Sequence, residues 1–154
     1  MTRWNRGQAE IEQLIHRREL EHITGAAADG SPLLRQAKTT AATATTLVQA
    51  DAYSAYILAY DAARFACTAL LAQQGLRPTT NGGHTAVATA VQAQFGPGFR
   101  PFSTMRRRRN ELEYPHVPGE MATTTEAQQA ISDTASLIAA AEQLIHQLTF
   151  FGQL

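Results

Sequence analysis

A chain of 154 residues with 44% apolar content suits a single domain and can build a core without disulfides or metal. The 13 Lys and Arg residues balance the 13 Asp and Glu residues, which excludes a global field that would attract nucleic acid. The lone cysteine, Cys67, excludes an internal disulfide; with no apolar leader in residues 1–10 and no bilayer-length apolar run, the expectation is a cytoplasmic protein outside the membrane.

Breakers divide the chain into helix-sized segments, and no stretch alternates long enough to read as a strand. Ile11, Leu14, Ile15 and Ile23 recur at helical spacing and predict a first helix over residues 8–23. After the stretch Gly-Ala-Ala-Ala-Asp-Gly at residues 25–30, Ser31-Pro32 reads as an N-cap with proline in the first turn, opening a second helix to about residue 50. That helix is rich in Ala and Thr, and its weak apolar face predicts partial exposure. A third helix is expected over residues 51–74, with Gly75 as its cap and Pro78 blocking continuation. Asn81-Gly82-Gly83 forms a turn before a short helix over residues 84–95, which ends at Gly96-Pro97-Gly98. A fifth helix follows over residues 102–113. The last runs from Thr123, where Thr-x-x-Glu reaching Glu126 is a capping box, to about residue 148, with Ile131, Ile138, Ile145 and Leu148 on one stripe. Six helices with short connections predict an all-α antiparallel bundle. Residues 1–28 read as an N-terminal helical extension and residues 29–154 as the bundle, within one globular unit.

Placing side chains at 100° steps shows polar groups on apolar faces. In the fifth helix Phe102, Met105 and Leu112 define the inward side, and Arg109 falls among them. Arg106 and Glu113 lie at its edge. Arg107, Arg108 and Glu111 point away, with Arg107 and Glu111 as a solvated i,i+4 pair. The third helix repeats the pattern, with Arg64 in the middle of a stripe of Tyr53, Tyr56, Ile57, Tyr60, Cys67 and Leu71. His84 shares a face with Val87 and Val91 at a helix start, where the dipole disfavours its charged form. Structural roles suit the same placements: Arg64 snorkelling or pairing with Glu113, His84 satisfied at the helix start, and the tyrosines as core aromatics with hydroxyls at the boundary. Of the 13 cations only Lys38 is a lysine, a bias that fits GC-rich coding; guanidinium forks nevertheless suit phosphate or carboxylate in two-point contacts.

Metal-ligand spacing, phosphate loops, nucleophile elbows and dinucleotide fingerprints are absent from the sequence, so no metal or cofactor is implied. The remaining kit is Arg, His, Tyr and Glu. It fits phosphodiester cleavage by a ribose hydroxyl, in which one group moves a proton and a cation stabilises the pentacovalent phosphate.

Ala59-Tyr60-Asp61-Ala62-Ala63-Arg64, Gly82-Gly83-His84 and above all RRRRNELEYP at residues 106–115 resemble the HEPN-domain family over roughly residues 30–150. The segment with Trp4 and Glu10-Ile11-Glu12 resembles an extension of one bacterial branch. The resemblance implies a helical bundle that dimerises, RNA as the ligand, and a metal-independent ribonuclease of toxin–antitoxin or antiviral systems, with an antitoxin or nucleotidyltransferase as partner. The family signature is Arg, a polar residue, and His, with four to six residues between Arg and His. Arg109 matches the Arg and Asn110 its polar neighbour; Tyr114 stands at the commonest His position and His116 at the longest spacing. On this resemblance Arg109 stabilises the phosphate, Asn110 orients it, and His116 or Tyr114 moves the proton, while Arg106, Arg64 and His84 contact RNA or phosphate. A non-catalytic HEPN module binding nucleic acid, nucleotide or protein, and a plain helical interaction protein, fit the same residues.

Overall fold

The computed structural model describes residues 6–152, and Trp4 lies outside them. The fold is an all-α bundle of six helices: α1 (Gln8–His16), α2 (Ser31–Leu47), α3 (Ala52–Gln73), α4 (Gly83–Phe95), α5 (Arg100–Glu113) and α6 (Thr124–Leu144). Helix α3 is the axis, and α2, α4, α5 and α6 all pack against it. Its alanines explain how. Ala55, Ala59, Ala62, Ala63 and Ala69 are fully buried, and their small side chains let neighbouring helices approach on several sides. By length and hydropathy α3 reaches membrane-spanning range, contrary to the sequence expectation, but 67% of that window is buried inside the bundle. Its apolar surface is consumed by the other helices.

Local signals placed the ends of α3 well. The Asp51 carboxylate accepts from the Ser54 amide at 3.0 Å, and Gly75 takes φ 75° just past the C-cap. The capping box at the start of α6 also forms: Thr123 accepts from the Glu126 amide, and Glu126 accepts from that of Thr123. Helix α2 starts differently from expectation. Gly30 is its N-cap, and Asp29, not Ser31, supplies the capping oxygen, accepting from the Ser31 amide at 2.9 Å. As expected, α2 is largely exposed along its Thr-rich face, where Thr39, Thr43 and Thr45 donate back to carbonyls one turn earlier.

The first helix is half as long as its apolar periodicity predicts. It stops at His16, and Leu20–His22 instead forms strand β1, antiparallel to β2 (Leu76–Pro78). The stop is a Schellman motif: the Glu19 amide donates to the Leu14 carbonyl and the Arg18 amide to that of Ile15. Arg18 occupies the left-handed position at φ 59°, where glycine is the usual residue, so the sequence carried no breaker to read. Across the small sheet Glu21 lies opposite Arg77, whose Nε donates to it at 2.8 Å. Ile11, Leu14 and Leu20 belong to the same hydrophobic cluster as the bundle helices, so the N-terminal segment is packed into the core.

Candidate functional site

Tyr60 and Arg64 lie one turn apart on α3, facing the junction of α4 and α5. The Tyr60 ring is fully buried and stacks parallel to Phe102 of α5, with centroids 5.6 Å apart. Its hydroxyl meets His84 Nδ1 at 2.6 Å. His84 sits in the first turn of α4, and the turn before it is pinned to the reversed end of α1. Thr79 donates its amide to the Glu19 carbonyl at 3.1 Å and its hydroxyl to that of Arg18 at 2.6 Å. The Gly82 backbone closes on the Glu19 carbonyl so tightly that a Cβ there would stand 2.1 Å from the oxygen. The unforeseen β1–β2 ladder and Arg18 turn therefore fix where His84 stands.

The charges of three arginines act on the Tyr60–His84 pair: Arg64 from α3 and Arg106 and Arg109 from α5. Burial lowers the proton affinity of His84, and the charges of Arg64, Arg109 and Arg106 lower it further, against an opposing pull from Asp61. Burial drives the Tyr60 hydroxyl far above the usual phenol range, with the same arginines opposing. The imidazole is thus neutral and the phenol protonated at neutral pH.

The guanidinium groups are incompletely neutralised. Arg109 pairs with Glu113, and Arg64 Nη2 lies 3.8 Å from Asp61 Oδ1 and over the Phe65 ring at 4.6 Å. Arg106 has no ion pair or hydrogen bond among the described residues. The Nε atoms of Arg64, Arg106 and Arg109 are all buried without a hydrogen-bond partner. Such orphaned donors are costly, and only Arg64 and Arg109 of the three have a carboxylate beside them to offset the positive charge.

The structure separates the remaining sequence candidates from this cluster. Asn110 is on the exposed side of α5, and its carbonyl accepts from the Tyr114 amide. Tyr114 is 69% exposed at the C-cap, and His116 is exposed in the loop between α5 and α6. No side-chain hydrogen bond or ion pair joins any of these three to the arginines among the described residues. Arg64 does not reach Glu113, which is taken by Arg109.

Arg108 corrects the helical-wheel reading most sharply. It was expected to point into solvent, yet its Nε and Nη2 donate to both Glu126 carboxylate oxygens at 2.9 and 3.3 Å, and its Nη1 reaches Glu120 and Glu111 at 3.1 and 3.2 Å. Its side chain is only 22% exposed. The expected Arg107–Glu111 pair does not form; Glu111 turns to Arg108 instead, and Arg107 is exposed. The wheel considers one helix, whereas the start of α6 and its preceding loop fold over this face of α5. The start of α6 and α5 also bound a cleft of about 400 Å³ against Tyr56, whose hydroxyl is pushed up to about 12, first by burial and then by Glu126.

Among the described residues, no group of three or more His, Cys, Asp or Glu side chains is placed to hold a metal ion. No protein-family model, curated protein or solved structure matches the chain.

Proposed function

We propose that this chain is a HEPN-like, RNA-directed protein: a metal-independent endoribonuclease of a toxin–antitoxin or antiviral defence system, acting as a homodimer. The observation that supports this reading is the cluster of Arg64, Arg106 and Arg109, with three unpartnered Nε atoms, around a neutral His84. An RNA phosphate entering there meets fixed positive charge without first displacing a full set of carboxylates. In the reaction the 2′-oxygen bonds to phosphorus and its proton passes to a base. The P–O5′ bond breaks, the leaving oxygen takes up a proton, and a 2′,3′-cyclic phosphate and a 5′-hydroxyl result. Arg109 stabilises the charge that accumulates on phosphorus-bound oxygens. His84, beside the arginines, and His116, matched by the family signature, are the proton carriers to compare.

Incubation with total RNA in EDTA tests the reading. The expected result is cleavage to 2′,3′-cyclic ends, reduced about 10²–10³-fold by Arg109→Ala, the effect of removing one transition-state donor. Loss in His84→Asn but not His116→Ala assigns proton transfer to His84, and the converse assigns it to His116. RNA that binds but is never cut makes the protein a non-catalytic RNA-binding module. RNA that neither binds nor is cut overturns the RNA-directed reading.

A further inference from the structure

The cleft of about 400 Å³ along the seam of α5 and α6 shares no residue with the arginine cluster. Its buried lining is Tyr56 of α3, Met105 of α5 and Ala130 of α6, an apolar floor that carries one hydroxyl. Charged side chains form the rim: Arg107, Arg108 and Glu111 from α5, and Glu126 and Asp133 from α6. Tyr56 is only 5% exposed, yet its hydroxyl has no hydrogen-bond partner among the described residues. A phenol placed that deep normally has one. The unpartnered hydroxyl therefore marks where a polar atom of a ligand would sit.

We propose that this cleft binds a primary alkylammonium ion, with its methylenes on Met105, Ala130 and the Tyr56 ring and its ammonium group between the Tyr56 hydroxyl and the Asp133 carboxylate. A free aliphatic amine and the lysine side chain of a partner protein present the same group. The site is independent of the RNA-directed reading, since neither its residues nor its ligand enter that chemistry.

The rim sets the sign of the ligand. Glu126 and Glu111 are held by Arg108, so their charges are already opposed. Asp133 lines the same cleft and has no ion pair among the described residues. Arg107, the other cation, is exposed, where water and salt screen it. After burial, the groups acting on the phenol are the carboxylates of Glu126, Asp133 and Glu111 in one direction and Arg108 alone in the other. A hydroxyl oxygen in a negative field accepts from a cationic donor more favourably than it donates to an anion. The hydrogen bonds around it choose the cation. Gln129 Nε2 donates to Asp133 Oδ1 at 3.0 Å, which leaves one carboxylate oxygen fully open, whereas a guanidinium fork uses two. Both Glu126 oxygens are taken by Arg108. An ammonium is a compact charge with three rotatable donors and needs only single acceptors. A metal ion fits less well still, because among the described residues these carboxylates do not converge as a metal-binding group.

Isothermal titration with n-pentylamine at pH 7.5 tests the site, with pentanol, pentanoate and butylguanidinium as neutral, anionic and forked counterparts of similar length. The amine should bind with a Kd of about 1 mM or tighter, and each counterpart about tenfold more weakly or worse. Tyr56→Phe and Asp133→Asn keep shape while removing the hydroxyl and the charge; with their folds checked by melting, each should weaken the amine about tenfold. Arg107→Ala removes a rim cation and should leave the affinity unchanged or tighter. Cadaverine and Nα-acetyl-lysine N-methylamide separate the two sources of the group. Tighter binding of cadaverine supports the site as one for a free amine, and tighter binding of the blocked lysine supports it as one for a protein side chain. Pentanoate, pentanol or butylguanidinium binding as tightly as pentylamine overturns the proposal. So does pentylamine binding that is the same in wild type, Tyr56→Phe and Asp133→Asn, binding weakened by Arg107→Ala, or no binding of any amine.

Discussion

Arg108→Ala provides a direct test of how the bundle closes. The guanidinium makes four hydrogen bonds to three carboxylates and is 22% exposed, so it lies between a surface pair and a buried one. A surface ion pair contributes about 0–1 kcal/mol, and breaking a buried one costs about 3–5 kcal/mol. Glu120, Glu126 and Glu111 are 36%, 35% and 56% exposed and regain water once Arg108 is gone. The cost therefore belongs in the lower middle, about 2 kcal/mol. For a domain of this length that lowers Tm by about 4–8 °C at neutral pH. Arg107→Ala on the neighbouring exposed position should stay within about 0.5 kcal/mol. The pH dependence has a definite sign. Burial raises the Glu126 carboxyl, but the Thr123 amide and the Arg108 guanidinium outweigh it and hold the group below the usual carboxylate range. The resulting stabilisation is present above the unfolded value of about 4.3 and disappears as pH falls through the lowered folded one. The gap between wild type and Arg108→Ala should therefore close in acid. Thermal unfolding from pH 7 to pH 3 measures both quantities. Equal shifts for the two variants at pH 7, or a gap unchanged at pH 3, would refute the argument.

Two further outcomes follow from close packing. Gly82→Ala should destabilise by about 1–3 kcal/mol, because its Cβ meets the Glu19 backbone oxygen, which a side-chain rotation cannot relieve. Gly98→Ala, facing open space, is the control, and comparable Tm losses in the two would contradict the packing argument. Cys67 is fully buried, and burial pushes its thiol far above the usual range, so an aromatic disulfide reagent at pH 8 should label it only after denaturant is added; rapid labelling of the native protein would show that α3 is less enclosed than described.

The sequence by itself determined the helical class, the ends of α3, the start of α6, and the inward placement of Phe102, Met105 and Leu112 on α5. Those features are written within a turn or two of chain: Asp51 with Ser54, Thr123 with Glu126, Gly75 after Gln74, and apolar residues at a period of 3.6. It also identified Arg64, Arg106 and Arg109 as cations near apolar faces, since the wheel needs only one helix at a time. Tertiary structure decided what the wheel could not represent. Tyr60 meets His84 across 24 residues of sequence, Arg108 meets Glu126 across 18, and Arg77 meets Glu21 across 56. No period within a single helix encodes those meetings. Arg18 shows the same limit on a smaller scale: an arginine in the left-handed position looks like helix to a propensity argument, and only the pairing of β1 with β2 and the docking of Thr79 on its carbonyl make the turn worth its conformational cost. Arg107 and Arg108 are adjacent and chemically identical, yet one is exposed and the other ties α5 to α6, because only Arg108 lies where the next helix begins.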